Sequence, residues 1–78
     1  MFTYDDIVRV KMSAPAPTRP GARCWVVGVF PPEERARVHF PQFPPGVVYT
    51  VEFEDGVAID IHEEQLEPDR LDGRFPPS

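Results

Sequence analysis

The feature that most constrains this chain is the alternation of apolar and polar residues within residues 47–68, VVYTVEFEDGVAIDIHEEQLEP. The apolar positions are Val47, Tyr49, Val51, Phe53, Val57, Ile59 and Ile61. A period of two in β-branched and aromatic residues is typical of strands that bury one face. Asp55-Gly56, between the two runs, is a strong turn signal. The stretch therefore predicts two antiparallel strands joined by a tight turn.

The same alternation predicts the length of the turn. A two-residue turn at Asp55-Gly56 would place Glu52 opposite Ile59 and would mix polar with apolar side chains on each face. A three-residue turn at residues 54–56 places the apolar side chains on one face, pairing Phe53 with Val57, Val51 with Ile59, and Tyr49 with Ile61. We therefore predict a type I turn followed by Gly56 in the left-handed region, which forms a bulge. The outward face is predicted to carry Thr50, Glu52, Ala58, Asp60 and His62.

Two further strands are predicted before this hairpin. Residues 6–11 alternate so that Val8 and Val10 share one face. Residues 13–20, SAPAPTRP, predict an exposed loop, and Pro20-Gly21 predicts a turn. Within residues 21–30 a second strand is predicted, and Gly28 indicates a bend or bulge where the sheet curls. The residues expected to share one face of this strand are Trp25, Val27 and Val29.

Residues 31–46, PPEERARVHFPQFPPG, form the proline-rich excursion between the second and third strands. They hold five of the eleven prolines, which disfavours regular structure. Two local structures remain open: a helical turn within residues 33–37, or a short strand at residues 37–40 that pairs back on residues 26–30. Phe40 and Phe43 either close one end of the core or form an exposed apolar patch for a partner.

The length of the chain indicates how these strands are arranged. A domain of 78 residues is near the lower size at which a core alone suffices, and curling the sheet protects its edges. Residues 62–66 predict a single helical or 3₁₀ turn that brings Leu66 to one end of the core. We predict an all-β, SH3-like barrel of about five strands over residues 1–68, followed by a polar tail at residues 69–78.

The charge is unevenly distributed. Eight of the 13 acidic residues lie between Glu52 and Asp69, where there is no Lys or Arg, whereas the rest of the chain carries all eight basic residues. An acidic surface disfavours nucleic acid as a direct ligand, because phosphate contacts need Lys and Arg. Such a surface either simply keeps the protein in solution or steers a basic protein partner into a complex. The candidate partner-binding residues are Glu52, Glu54, Asp55, Asp60, Glu63, Glu64, Phe40 and Phe43.

Catalytic and cofactor chemistry is not indicated by the residues. Cys24, His39 and His62 are the soft metal-ligand types in the sequence, and they lack the spacing of a zinc site. Cys24 is predicted to be a small packed thiol on the second strand. There is no Gly-rich phosphate loop, and a barrel of this size has little room for a substrate cavity. We expect no enzyme activity, no metal, no cofactor and no small-molecule substrate.

The sequence also suggests a compartment. One cysteine excludes an internal disulfide and fits a reducing environment. No apolar run approaches about 20 residues, so no membrane span is predicted. The N-terminal MFTYDDIVRV lacks the basic flank and apolar stretch of a signal peptide. A cytoplasmic protein is expected.

Three segments carry a family resemblance. They are YDDIVRV at residues 4–10, GARCWVVGV at residues 21–29, and YTVEFEDG at residues 49–56 running into EEQLEP at residues 63–68. This set resembles the small SH3-like immunity proteins of bacterial polymorphic toxin systems, and a related group of short bacterial proteins of unknown function. The chain departs from the family pattern by having Cys24 where a second glycine is expected, and by its longer proline-rich excursion.

The resemblance implies a cytoplasmic protein that binds and neutralises a co-encoded toxin domain, without identifying functional residues. The leading hypothesis is therefore an immunity protein that occludes a basic toxin domain by direct contact. One alternative is an accessory SH3-like module or small subunit of a larger complex. Another is an RNA- or ribosome-associated module of the KOW type, which shares the G-x-x-G-x-V pattern and would use a basic edge formed by Arg9, Lys11, Arg19 and Arg23.

Overall fold

A single antiparallel sheet of five strands runs through the computed structural model, which describes residues 2–35 and 43–69. The strands are β1 (Ile7–Val10), β2 (Arg23–Phe30), β3 (Val48–Phe53), β4 (Ala58–His62) and β5 (Leu66–Pro68). The helical pieces of the described residues are α1 (Pro32–Arg35) and two 3₁₀ turns, Ala16–Thr18 and Glu63–Gln65. None of these pieces is long and apolar enough to cross a membrane.

The strand order confirms the predicted all-β, SH3-like fold class. The order across the sheet is β4-β3-β2-β1-β5, so β1 to β4 pair in succession and β5 returns to pair with β1. The proline-rich excursion separates β2 from β3, and the 3₁₀ turn Glu63–Gln65 leads from β4 into β5. In the described part of the chain β4 and β5 are the two edges and do not pair with each other, so the barrel is not closed.

The β3–β4 hairpin has the predicted register. Tyr49 lies opposite Ile61, and Val51 lies opposite Ile59. At the turn, the Phe53 N–H donates to the Val57 carbonyl at 2.8 Å, and the Gly56 N–H donates back to the Phe53 carbonyl at 2.9 Å. Gly56 has a φ of +88°. The three-residue turn with a positive-φ glycine is therefore confirmed.

The core lies against one face of the sheet. Its buried side chains come from all five strands and from two flanking segments, and they are Val8, Val10, Ala14, Cys24, Val26, Val47, Tyr49, Val51, Phe53, Ile61 and Leu66. The predicted inward face of β1, formed by Val8 and Val10, is confirmed, as is the burial of Leu66 at the start of β5. Burial of Ala14 corrects the expectation that residues 13–20 are simply an exposed loop.

The prediction that Trp25, Val27 and Val29 share one face of β2 is wrong. Cys24 and Val26 are fully buried and lie opposite Phe53 and Val51, so Trp25 between them points to the other side of the sheet. The pairing then shifts, because Gly28 lies opposite Thr50 and Val27 is left as an extra residue. This is the bulge that Gly28 predicted. After the bulge the odd-numbered positions face the core, and Val29 packs against it.

Two positions at the ends of the hairpin also differ from expectation. Val57, predicted to be inward, is 41% exposed beside the turn. His62, predicted to face outward, is buried because residues 43–47 lie over it. Its Nε2 is 3.0 Å from the Pro45 carbonyl, and its Nδ1 accepts a hydrogen bond from the Glu64 N–H at 3.1 Å. In this pattern Nε2 donates to the Pro45 carbonyl, so His62 joins residues 43–47 to the 3₁₀ turn after β4.

The proline-rich excursion begins with a helical turn and is held at its base by Arg35. Of the two structures left open by the sequence, the helical turn is present as α1. It spans Pro32–Arg35, whereas it was predicted within residues 33–37. The Arg35 guanidinium donates to three backbone carbonyls, those of Phe43, Pro44 and Gly46, at 3.1, 2.6 and 2.9 Å. The alternative strand at residues 37–40 lies outside the described residues.

Candidate partner-binding face

The face of the sheet opposite the core is the candidate functional surface, here called the outer face. Its residues alternate with the buried ones along each strand, and they are Ile7, Arg9, Arg23, Trp25, Thr50, Glu52, Ala58, Asp60 and Glu67. Residues 43–47 cover this face at Val48 and His62, and the rest of it is open to solvent or to a partner. The outer face contains an aromatic centre, an acidic half on β3 and β4, and a half on β1 and β2 where arginines predominate.

Trp25 lies at the centre of the outer face. In the register of the sheet it is opposite Glu52 on β3 and opposite Ile7 on β1. The side chain is half-buried, so part of the indole remains accessible. Sequence reasoning missed this residue because the bulge at Val27 reverses the alternation within β2. Gly28 indicated a bulge, but the pairing with β3 is what makes Cys24 and Val26 the inward pair.

Two of the predicted acidic residues lie on the outer face, Glu52 beside Trp25 on β3 and Asp60 one strand further away on β4. Glu52 is opposite Ala58, and Asp60 is opposite Thr50, so both carboxylates lie on the same side of neighbouring strands. The Thr50 hydroxyl donates to Asp60 Oδ1 at 2.6 Å, which orients that carboxylate. Within residues 2–35 and 43–69, neither Glu52 nor Asp60 forms an ion pair. Their negative charge is therefore available to a partner.

The acids of the turn form a second group at the tip of the hairpin. Asp55 accepts hydrogen bonds from Arg19 Nη1 at 3.0 and 3.1 Å, and this guanidinium holds the pKa of the carboxyl below its usual range. The Arg19 guanidinium also lies 4.7 Å from the centre of the Phe53 ring. An open depression of about 310 Å³ runs between these side chains, Arg23 and Glu54. The charge of Asp55 is thus largely matched, whereas Glu54 is exposed and forms no ion pair among the described residues.

Glu63 and Glu64 form a third group at the opposite end of β4. Glu63 Oε2 accepts from the Val47 N–H at 3.3 Å, and the Glu63 N–H donates to the Val47 carbonyl at 2.9 Å. Glu63 is therefore part of the local fold, while the Glu64 side chain is 77% exposed. The five residues of β4 separate this group from the turn by roughly 15 Å. The structure thus does not unite the predicted acids in one surface.

A buried carboxylate, that of Asp69, binds both arginines of the β1–β2 half of the outer face. Asp69 is 1% exposed and pairs with Arg9 at 3.0 Å and with Arg23 at 2.8 Å. Arg9 also donates to the Gly21 carbonyl at 2.7 Å. Sequence reasoning placed Asp69 in the polar tail, and its partners 60 and 46 positions away gave no local signal. The predicted boundary at residue 68 stays a prediction, because residues 70–78 lie outside the described part.

Of the two phenylalanines predicted as apolar anchors, Phe43 lies within the described residues. Phe43 is half-buried, and its carbonyl is one of those held by Arg35. This position fits neither a fully buried plug nor a freely exposed patch. Phe40 lies outside the described residues, so its predicted role stays a prediction.

Reactive groups in the described chain are buried or dispersed. Burial raises the pKa of the Cys24 thiol to about 11, which makes it a poor nucleophile at neutral pH. Burial also raises the pKa of Tyr49, whose hydroxyl accepts from the Phe2 N–H at 2.9 Å. No three His, Cys, Asp or Glu side chains of residues 2–35 and 43–69 come together as a metal site. What the outer face offers is non-covalent: an aromatic surface with acidic neighbours.

Comparisons with known proteins do not assign this chain to a family. Neither protein-family models, nor curated proteins, nor solved structures gave a match.

Proposed function

We propose that this protein is an immunity-type binding protein, which neutralises a toxin domain encoded beside it by covering that domain's surface. The observation that carries the proposal is the pairing of a half-buried Trp25 with Glu52 on a sheet face rich in charged residues. Tryptophan is enriched among residues that dominate binding energy, and charged residues around such a centre add specificity and association rate. The outer face therefore has the make-up of a protein-binding surface.

The charge of this face favours a basic partner. Glu52 and Asp60 extend the surface on β3 and β4, and Glu54 extends it at the turn. A toxin domain that acts on nucleic acids or nucleotides has a basic cleft, and an acidic inhibitor is complementary to such a cleft. The family resemblance of residues 4–10, 21–29 and 49–68 supports the same function and implies a bacterial, cytoplasmic setting.

An accessory subunit is the second candidate, since a half-buried tryptophan on an open face equally suits a permanent interface. The neighbouring gene separates the two: a toxin-bearing reading frame supports immunity, and an enzyme subunit supports the accessory role. The RNA-associated alternative is weaker. Arg9 and Arg23 bind Asp69, and Arg19 binds Asp55, so three of the four residues of its basic edge are engaged within the protein.

The direct test is co-expression with the neighbouring toxin domain in a sensitive host. We expect cells that carry both genes to survive, and the two proteins to co-purify as a complex. Survival should be lost when the gene for this protein is omitted. Absence of both protection and co-purification would reject the immunity function.

The role of the acidic half is tested by charge reversal at two positions, Glu52→Lys with Asp60→Lys. We expect association with the toxin domain to slow about tenfold at low salt and to lose most of its salt dependence, because long-range attraction governs the encounter rate. The matched control is Glu33→Lys with Glu34→Lys, which changes the same charge in the exposed α1. Equal association rates for the two double variants would show that Glu52 and Asp60 are not part of the interface. Glu63 is unsuitable for this test because its carboxylate holds the Val47 amide.

The role of Trp25 is tested by Trp25→Ala. We expect the complex to dissociate about 30-fold faster or more, which corresponds to a typical hot-spot loss of about 2 kcal/mol. Met12→Ala removes another exposed apolar side chain, 76% accessible in the loop before β2, and should leave the dissociation rate unchanged. A thermal melt of each free variant separates lost binding from lost folding. If the folded Trp25→Ala protein dissociates at the wild-type rate, the outer face is not the interface.

A further inference from the structure

The outer edge of β4 has free main-chain hydrogen-bonding groups. In an antiparallel hairpin the residues alternate between those that bond across the hairpin and those whose amides point away. The bonds between Phe53 and Val57 and between Val47 and Glu63 fix this alternation. Ala58 and Asp60 therefore direct their N–H and C=O groups away from β3. Both residues are exposed, and these groups have no other backbone partner in the part of the chain that the structure describes.

The other edge of the sheet offers outward carbonyls but no free N–H donor within β5. On β5 the bond from the Lys11 N–H to the Gln65 carbonyl shows that Leu66 and Pro68 face away from β1. The Leu66 N–H is already bonded to the Glu63 carbonyl at the end of the 3₁₀ turn. Pro68 has no N–H, and proline on an edge strand is a known protection against added strands. Of the two edges, β4 is the one able to pair with another strand.

The side chains along β4 indicate what kind of strand would fit. Asp60 on the edge, with Glu52 on the neighbouring strand, makes the outer side of an added strand acidic. On the inner side, Val57 is 41% exposed and Ile59 is half-buried, so an added strand meets apolar surface there. Successive side chains of a strand point to opposite faces. The complementary segment therefore alternates basic and apolar residues.

We propose that β4 pairs with an extended segment of the toxin domain in which basic and apolar residues alternate, so that the partner's strand continues the sheet. The inference rests on the proposed function for the protein that supplies this segment. Main-chain hydrogen bonds to Ala58 and Asp60 hold the added strand. The Asp60 carboxylate and the apolar side chains of Val57 and Ile59 determine which partner sequences fit. A second copy of this chain is a poor occupant of the edge, because antiparallel pairing of two β4 strands brings their Asp60 carboxylates onto the same face.

The test uses the full chain and two synthetic heptapeptides of opposite charge. One alternates lysine and valine, and the other alternates glutamate and valine. We expect the lysine peptide to bind and to slow hydrogen exchange at the Ala58 and Asp60 amides, whereas the glutamate peptide does neither. Similar binding of the two peptides, or protection confined to the β1–β2 half, would overturn the proposal.

Main-chain pairing is separated from side-chain effects by two variants at one position. Ala58→Pro removes the outward N–H without removing a bond to β3, and Ala58→Val changes the side chain but keeps the N–H. We expect Ala58→Pro to weaken binding of the lysine peptide about tenfold, and Ala58→Val to bind as the wild type does. Equal affinities for the two variants would exclude use of the β4 edge. The exchange measurement on the wild-type chain keeps the test decisive if Ala58→Pro does not fold.

The failure of this inference is distinguishable from failure of the proposed function. If cells are protected from the toxin domain equally by the wild type and by folded Ala58→Pro, the edge proposal falls and the immunity function stands. If the wild type gives no protection but the lysine peptide still binds at β4, the edge proposal survives without the toxin. A concentration-dependent dimer of the wild type that blocks the peptide would assign the edge to a second copy and overturn the proposal.

Discussion

Asp69 is the buried acidic side chain of the described residues, and its two arginine partners fix the end of β5 against the outer face. We expect Asp69→Asn to lower the free energy of unfolding by about 2 kcal/mol, because it leaves two guanidinium groups without their charged acceptor. Urea unfolding at pH 7 measures the change.

The matched comparison for Asp69 is Asp55→Asn. Asp55 is also paired with an arginine, but both side chains of that pair are largely exposed, 55% for Asp55 and 40% for Arg19. An exposed pair of this kind adds little to stability. A stability loss as large as that of Asp69→Asn would mean that burial is not what distinguishes the two sites.

The Cys24 thiol makes stability depend on alkaline pH. Its pKa rises from 9.0 to about 11 on folding because the side chain is buried. Below pH 9 the thiol is protonated in both the folded and unfolded states, so the stabilisation from burying it is fully present. Between pH 9 and 11 the unfolded chain loses this proton and the folded chain keeps it. We therefore expect the free energy of unfolding to fall across this window by at most about 1.4 kcal/mol per pH unit.

The control for this pH dependence is Cys24→Ala, which keeps Tyr49, whose pKa is also raised by burial. Unfolding by urea at pH 8, 9, 10 and 11 gives the two profiles. The variant is less stable at pH 8 because it leaves a small cavity. Its decline with pH should be shallower, and parallel profiles would show that Cys24 does not carry the effect.

Among the elements, the β3–β4 turn tests how local sequence determines local structure. Gly56 has a φ of +88°, and an added Cβ would meet nothing within 4 Å. The cost of a side chain is therefore purely conformational. We expect Gly56→Val to destabilise the protein by about 1 kcal/mol or more, and Gly56→Asn by less, since Asn tolerates positive φ. Urea unfolding compares the two, and a neutral Gly56→Val would contradict the turn geometry.

The elements also explain which sequence predictions succeeded. The hairpin register was predictable because two runs of strict alternation flank one Asp-Gly turn, and of a two- and a three-residue turn only the latter keeps both runs on one face. In β2 the alternation is reversed by a single extra residue, Val27. A bulge depends on the pairing with β3 as well as on β2 itself, so Gly28 revealed that a bulge exists without revealing which face each half presents.

At the scale of the whole molecule, the strand order was predictable and the candidate site only partly so. Four strands pair with their neighbours in sequence, and the acidic turn of residues 63–65 directs β5 back to β1. The acids were expected to act together because they are close in sequence. In the fold they divide into three groups, because the length of β4 separates Glu64 from Glu54. In addition, Asp55 and Glu63 form hydrogen bonds within the protein. Charge density along a chain does not predict where strand pairing places it.

The difference between the two sheet edges predicts the behaviour of a variant of the whole molecule. Pro68→Val adds an outward N–H to β5, so that β5 of one copy gains a donor for β4 of another. We expect the variant to sediment faster as its concentration rises, whereas the wild type shows no association through β5. The double variant Pro68→Val with Ala58→Pro should return to the slower species. Association that persists in the double variant would mean that the copies meet through other surfaces.

The protected β5 edge has a consequence for assembly. Growth of a fibre by strand addition needs monomers with two complementary ends, so that each addition leaves a new site. A chain with one pairing edge is monovalent in this sense: the first strand to join at β4 is also the last. The main-chain groups of Ala58 and Asp60 can therefore pair with one added strand, while Pro68 and the bonded Leu66 N–H hinder addition of a further copy at the other edge.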